Sequence, residues 1–152
     1  MPLYLDLAIA TLTKIKVLSI KGTNVIDITP IKRIKKLQTL NIENTKIQDI
    51  SALAHLTNLS KVSIMGTLIN DLKPLTRLLL LKRLFLRNLN IDDISPLSTL
   101  LQLKTLDISG TKVTDISPLE RLTKLEHLNI TGINVNTKNG TLKKLSQCKI
   151  IK

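Results

Sequence analysis

The run LKTLDISGTKVTDISPLERL, residues 103–122, holds most of one unit of a pattern that recurs along this 152-residue chain. Its second aspartate is the last of five spaced 22 residues apart: Asp27, Asp49, Asp71, Asp93 and Asp115. A fixed period of this size is typical of a solenoid, in which short units stack on one another. The repeat therefore decides the architecture, and it favours a protein that displays a surface over one that encloses a catalytic centre.

Apolar residues in each unit follow two spacings. They occupy Ile94, Leu97, Leu100, Leu103, Leu106, Ile108 and Val113, and the same places earlier in the chain hold Ile28, Ile31, Ile34, Leu37, Leu40, Ile42 and Ile47. The spacing of three before Leu103 predicts a tight helical or 3₁₀ turn, and the alternation of Leu106 with Ile108 predicts a short strand. Each unit therefore pairs one strand with one helical segment and needs its neighbours to bury its apolar side.

Polar and small residues also hold fixed places. One place holds only Gly or Asn, which predicts a left-handed bend after each strand, at Gly22, Asn44, Gly66, Asn88, Gly110 and Gly132. A threonine follows in four units, where its hydroxyl is expected to bond to adjacent turns: Thr23, Thr45, Thr67 and Thr111. Each periodic aspartate is expected to cap the helical segment, for roughly 1 kcal/mol. A proline follows three residues later in four units: Pro30, Pro74, Pro96 and Pro118.

With these features, residues 103–122 resemble a leucine-rich repeat of the 22-residue internalin type, and more loosely the short phosphatase-regulatory type. Six turns carry the similarity, over about residues 12–136. The resemblance implies an α/β leucine-rich-repeat solenoid with one curved parallel β-sheet on the concave face and short helical or 3₁₀ segments on the convex face. It also implies that partner proteins bind on the concave face. We expect a single domain over 1–152, with an N-terminal capping turn at 1–16, regular repeats over about 17–136 and an irregular C-terminal turn at 137–152.

Composition and charge narrow the classes of function. Tyr4 and Phe85 are the only aromatic residues, so the core must consist of aliphatic side chains. Lys and Arg number 23 against 11 Asp and Glu, and the net charge of +12 makes polyanions and acidic proteins candidate partners. Because five of the eleven acids are the periodic aspartates with a structural role, the remaining surface is more basic than the total indicates.

Several other classes are disfavoured. The sequence has no apolar run of about 18 residues and no evident secretory signal, so we expect a cytoplasmic protein. Cys148 is the lone cysteine, which excludes an internal disulfide and fits a reducing compartment. We predict no catalytic, cofactor-binding or metal-binding residues, because two isolated histidines and one cysteine do not make a metal site. Asp107, Ser109 and His127 superficially resemble a hydrolytic triad, but an open sheet offers neither an oxyanion hole nor a closed pocket.

Side chains that alternate with the buried strand residues form three outward-facing columns across the sheet. The columns are Val17, Thr39, Lys61, Arg83, Thr105 and His127; Ser19, Asn41, Ser63, Phe85, Asp107 and Asn129; and Lys21, Glu43, Met65, Arg87, Ser109 and Thr131. Phe85 lies in the middle of this sheet among basic residues, and such aromatic and Arg anchors concentrate binding energy. We predict partner-binding residues at Lys61, Met65, Arg83, Phe85, Arg87, Asp107 and His127. The alternative is that Phe85 is a tolerated, isolated apolar residue.

Two further surfaces deviate from the pattern. Leu79, Leu80 and Leu101 stand where other turns carry polar residues, and Leu68 adds an exposed leucine, which suggests a contact or self-association surface or else local packing. The run IKRIKKL, residues 31–37, is either a polyanion patch or a solvated face over core residues. The favoured function is a non-enzymatic protein-protein interaction module that binds an acidic partner surface. The alternatives are a basic nucleic-acid-binding protein, disfavoured by the shortage of stacking aromatics, and a structural fragment of a larger protein.

Overall fold

The strands of the repeats form one parallel sheet. The computed structural model describes residues 3–4, 12–135 and 140–152. Its strands are β1 Leu3–Tyr4, β2 Val17–Ser19, β3 Val25–Asp27, β4 Thr39–Asn41, β5 Lys61–Ser63, β6 Arg83–Phe85, β7 Thr105–Asp107, β8 His127–Asn129 and β9 Lys149–Ile151. Strand β2 and strands β4 to β9 pair in chain order as a seven-stranded parallel sheet, whereas β1 pairs with β3. The predicted sheet is therefore confirmed.

Register within the sheet follows the 22-residue period. Lys61 pairs with Arg83, and Ser63 pairs with Phe85, as their spacing requires. The middle residue of each strand is buried from β4 to β8, while its two neighbours face outward to differing degrees. Because one face of every strand is apolar, a shift by one residue would expose the core, so the repeat fixes this register.

Short 3₁₀ helices form the other side of the solenoid. They are η1 Thr29–Arg33, η2 Ser51–His55, η3 Lys73–Arg77, η4 Ser95–Thr99 and η5 Ser117–Leu119. Each contributes one leucine or isoleucine that is fully buried: Ile31, Leu53, Leu75, Leu97 and Leu119. These residues and the strand interiors make one continuous aliphatic core. The expected leucine-rich-repeat solenoid, with sheet and 3₁₀ segments on opposite faces, is thus confirmed.

The periodic aspartates cap the 3₁₀ helices as expected, from one position further out than a standard N-cap. In each unit the N-cap position itself holds Ile or Leu, and the preceding aspartate accepts a hydrogen bond from the backbone N–H two residues ahead. These N–H···Oδ1 distances are 2.7 Å from Asp27, 2.7 Å from Asp49, 2.9 Å from Asp71, 2.7 Å from Asp93 and 2.9 Å from Asp115. These carboxylates therefore have a structural role as caps, and they do not form a row of reactive groups.

The bend after each strand is left-handed, as predicted. Backbone φ is positive at all six Gly or Asn sites, between 53° at Asn44 and 74° at Gly132. The expectation for the following threonines was wrong in one respect. Their hydroxyls donate to the carbonyl three residues earlier in the same turn, as Thr45 does to Ile42 at 2.8 Å, and not to adjacent turns. The tight bend brings that carbonyl within reach, so each threonine closes its own turn.

The C-terminal turn differs from the others. A short α-helix, α1 Thr141–Lys144, replaces the 3₁₀ helix, and Thr141 and Leu145 are buried against the core. Strand β9 returns to the period, because His127 pairs with Lys149. Residues 1–2 and 5–11 of the expected capping turn, and 136–139 at the expected end of the regular repeats, lie outside the described residues. The division of the domain at 16 and 136 stays a prediction.

No helix in the described residues is long and apolar enough to cross a bilayer.

Candidate functional site on the concave sheet

Six of the seven predicted partner-binding residues line three depressions on the sheet, and Asp107 lines none of these three. Lys61, Met65 and Phe85 line the first, Arg87 lines the second, and Arg83 and His127 line the third. This division does not follow the three columns, because the first depression holds residues of all three, and Lys61 and Arg83 pair in register but line different depressions. We name these concavities the Phe85, Arg87 and His127 depressions.

The Phe85 depression combines an aromatic ring with charged and polar groups. It has a volume of about 310 Å³ and is lined by Val17, Leu18, Ser19, Thr39, Asn41, Glu43, Lys61, Ser63, Met65 and Phe85. Phe85 is half-buried, and the Lys61 ammonium lies 5.7 Å from the centre of its ring. A cation over an aromatic face at this distance is attracted to the ring. The contact therefore keeps an apolar ring and a positive charge side by side on the sheet.

Sequence reasoning missed the buried carboxylate in this depression. Glu43 is only 7% exposed, and it accepts hydrogen bonds from Lys21 Nζ at 2.7 Å and Ser63 Oγ at 2.5 Å. Burial is the largest single influence on the pKa of Glu43 and raises it, but the bonds from Lys21 and Ser63 and the charges of Lys21 and Lys61 together hold that pKa below its ordinary value. Glu43 is therefore charged, and as the one acid in its column it was visible in the sequence.

The Arg87 depression combines an arginine with polar side chains, several of which are already hydrogen-bonded within the chain. It measures about 280 Å³ and is lined by Arg87, Asn88, Ser109, Gly110, Asn129 and Thr131. Beside it, Asp107 Oδ1 accepts hydrogen bonds from both the N–H of Ser109, at 2.9 Å, and its hydroxyl, at 2.6 Å. Because the Ser109 hydroxyl donates to Asp107 and not to His127, the three residues lack the hydrogen-bond order of a hydrolytic triad. Arg87 is the exposed charge that remains.

The His127 depression opens at the edge of the sheet where the strands begin. Its volume is about 440 Å³, and its lining consists of Lys82, Arg83, Lys104, Thr105, Glu126 and His127. Lys104 Nζ lies 2.6 Å from Glu126 Oε1, and this bond, followed by the charges of Lys104 and His127, keeps the pKa of the exposed Glu126 below its ordinary value despite slight desolvation. Lys82 and Lys104, which the sequence argument did not select, thus join Arg83 in one basic site.

Nearly every described carboxylate is bonded to another group of the chain. Besides the five caps and Asp107, Glu43, Glu120 and Glu126 pair with Lys21, Lys144 and Lys104. Among the described acids, only Asp92 forms no such contact. The basic side chains therefore dominate the outer surface, as expected from the sequence. Within the described residues no three His, Cys, Asp or Glu side chains come close enough to hold a metal ion.

Exposed leucines form the second surface. Leu79 is 56% exposed, Leu80 53% and Leu101 44%, and we call these three residues the leucine edge. All three precede the start of a strand by three or four residues, at the edge of the sheet where the His127 depression opens. Leu68 is equally exposed, at 56%, but it follows a strand and so lies at the opposite edge of the sheet. The expected grouping of Leu68 with the other leucines was therefore wrong, because all strands of a parallel sheet begin at one edge and finish at the opposite edge.

The basic run at residues 31–37 covers the core. Lys32, Arg33, Lys35 and Lys36 are exposed, whereas Ile31, Ile34 and Leu37 are fully buried. This is the arrangement expected of a solvated face over core residues, and Lys35 also bonds to the carbonyl of His55 at 3.2 Å.

Comparison with known proteins agrees with the architecture. The family model described as leucine-rich repeats (2 copies) matches residues 13–55, 35–77, 79–121 and 101–147. Comparison of the sequence with curated proteins gave no significant match.

Two solved structures are especially similar. An internalin, inlF, from Listeria monocytogenes is 31% identical and superposes with a TM-score of 0.92 over 99% of this chain and 44% of its own. Internalin C2, inlC2, from the same organism is 32% identical, with a TM-score of 0.86 over 95% of this chain and 63% of its own. This chain thus spans less than two thirds of the length of either internalin. The repeat matches and these superpositions together show that the chain is an internalin-like member of the leucine-rich repeat family.

Proposed function

We propose that this chain is a non-enzymatic protein-protein interaction module that binds an acidic partner surface through its concave sheet. The half-buried Phe85, with the Lys61 ammonium over its ring and two exposed arginines nearby, is the observation that carries the proposal. Apolar area at Phe85 and Met65 supplies an anchor, and Arg83 and Arg87 supply charge that attracts carboxylates. Among the described residues, few carboxylates are left free to compete with a partner for these basic side chains.

A pair of substitutions tests this surface without disturbing the framework. Phe85→Asn with Arg87→Thr copies Asn129 and Thr131, which occupy the same places two turns later. The control, Leu68→Asn with Arg77→Thr, copies Asn90 and Thr99 and removes one apolar residue and one charge away from the sheet. Because each variant borrows residues that the repeat already accepts, both should fold.

The measurement starts with affinity capture from source cells and mass spectrometry, followed by titration of the recovered partner. We expect the Phe85/Arg87 variant to bind at least about tenfold more weakly, as loss of central anchors usually does, and the Leu68/Arg77 control to bind like wild type. The association rate should fall steeply with added salt, since the attraction is partly electrostatic. Unchanged affinity of the Phe85/Arg87 variant would sink the concave-sheet proposal.

Nucleic-acid binding is the second candidate, favoured by the basic surface. It predicts salt-dependent binding of generic oligonucleotides by counterion release. If oligonucleotides bind more tightly than the captured protein at physiological salt, this candidate replaces the first. The sequence offers only Tyr4 and Phe85 for base stacking, and this shortage supports the protein partner.

Cytoplasmic localisation belongs to the same proposal. It is supported by Cys148, the lone cysteine of the sequence and a free thiol, which fits a reducing compartment. Fractionation of source cells with an antibody to the chain tests it, and recovery in the medium would contradict it.

A further inference from the structure

The leucine edge is not needed by the fold. In the neighbouring turns the places of Leu79 and Leu101 hold threonine, at Thr57 and Thr123, and the place of Leu80 holds Asn58. Those turns still bury their own core residues, and Leu59 and Leu122 are fully buried. Polar residues at these places therefore serve the burial of the core as well as leucines do, and the fold does not require the exposed leucines. A cluster of aliphatic side chains kept in water is typical of an interaction surface.

Basic residues adjoin the leucine edge directly. Lys82 follows Leu80 by two residues and Lys104 follows Leu101 by three, so their backbones lie within about 7–11 Å. Both lysines line the His127 depression together with Arg83. Only Lys104 has an acidic partner there, in Glu126. Exposed apolar side chains and uncompensated positive charge thus lie close to one another at the strand-start edge of the sheet.

We propose that the leucine edge, with Lys82, Arg83 and Lys104, is a second docking surface that receives an acidic, leucine-rich segment of a partner protein. Aliphatic side chains of that segment cover Leu79, Leu80 and Leu101, and its carboxylates enter the His127 depression. Charge complementarity indicates that the partner segment is negatively charged, because an acidic group in this depression meets more positive than negative charge.

The same charges argue against a second copy of this chain as the occupant. Two copies meeting through the leucine edge would bring their lysines and arginines together, and like charges repel across an interface. An anionic bilayer fits less well for a different reason. The depression of about 440 Å³ beside the leucines is a concavity that a flat lipid surface leaves unfilled, whereas a peptide side chain occupies it.

Selection from a random display library of short peptides tests the proposal. The bait is wild-type protein, with counter-selection on the variant Leu79→Thr, Leu80→Asn and Leu101→Thr, which copies Thr57, Asn58 and Thr123. We expect enriched peptides to combine aliphatic with acidic residues. A synthetic copy of the most enriched peptide should bind the triple variant roughly tenfold more weakly than wild type. It should bind a Lys82→Gln, Lys104→Gln variant more weakly too, with a reduced salt dependence.

Two variants serve as controls. Leu68→Asn removes an equally exposed leucine from the opposite edge and should leave peptide binding unchanged. The Phe85→Asn, Arg87→Thr variant should also bind the peptide normally, which separates this surface from the concave site.

Three outcomes would overturn the inference. The first is enrichment of no peptide, or of peptides without acidic residues. The second is sedimentation with phosphatidylserine-containing vesicles that depends on the three leucines, which assigns the edge to a membrane. The third is a dimer in analytical ultracentrifugation that the triple variant abolishes, which assigns it to a second copy.

Discussion

At the residue scale, the Gly and Asn sites do more than permit a left-handed bend. A Cβ added at Gly66 would lie 2.4 Å from Asn44 Oδ1, and one at Gly110 would lie 2.3 Å from Asn88 Oδ1. Each asparagine side chain therefore rests over the glycine of the next turn. The alternation Asn44, Gly66, Asn88, Gly110 is a packing relation between turns, and a period alone does not reveal it.

Comparison of two alanine variants isolates this packing. Gly22 has nearly the same φ as Gly66, 69° against 63°, but among the described residues a Cβ there meets no atom within 4 Å. Gly22→Ala should cost about 1–2 kcal/mol for the left-handed backbone alone. Gly66→Ala should cost more, because the Asn44 amide must also rotate away. Urea denaturation of both variants checks this, and addition of Asn44→Gly to Gly66→Ala should recover the excess. Equal losses for Gly22→Ala and Gly66→Ala would contradict the packing role.

At the element scale, the 3₁₀ helices depend on the aspartates before them. Asp93 accepts bonds from both the backbone N–H and the hydroxyl of Ser95, at 2.7 and 3.0 Å. Asp92 is its exposed neighbour with the same charge and no such bonds. The two adjacent carboxylates thus offer a matched comparison of capping with charge alone.

We expect Asp93→Ala to lower the urea midpoint clearly, with an unchanged slope, and Asp92→Ala to leave it nearly unaltered. The backbone and side-chain bonds from Ser95 lower the pKa of Asp93 from its ordinary 3.8 despite slight desolvation. Its stabilisation is therefore present above pH 3.8 and disappears as pH falls through the lower folded-state pKa. Denaturation across that pH range should show wild type and Asp93→Ala converging at the acid end. A gap that persists there would assign the effect to something other than the carboxylate.

The sequence predicted the elements better than it predicted the site. Period, strand alternation and Gly or Asn bends define backbone positions, so they placed Phe85 beside Ser63 and Asp107 correctly. Side-chain contacts on an open sheet depend on the length and the rotamer of each side chain, and the 22-residue period does not determine either of them. This is why the pairing of Glu43 with Lys21, and the division of the predicted patch into three depressions, required the structure.

At the scale of the whole molecule, charge repulsion should set the response to salt. The chain carries a net charge of +12, and its described acids are mostly held in caps and pairs, so unpaired lysines and arginines repel one another in the folded state. Exposed ion pairs contribute only about 0–1 kcal/mol each to the free energy of unfolding, so the stability that is lost when salt screens them is small.

Sodium chloride should therefore stabilise the fold. Raising ionic strength from about 0.01 M to 0.15 M shortens the screening length from about 30 Å to 8 Å, which weakens repulsion mainly between charges that lie further apart than neighbouring turns. We expect the urea midpoint to rise over this range and then level off. The Lys82→Gln, Lys104→Gln variant, with two fewer positive charges at one edge, should show a smaller rise. A midpoint that falls with salt would mean that attractive pairs such as Lys104–Glu126 outweigh the repulsion.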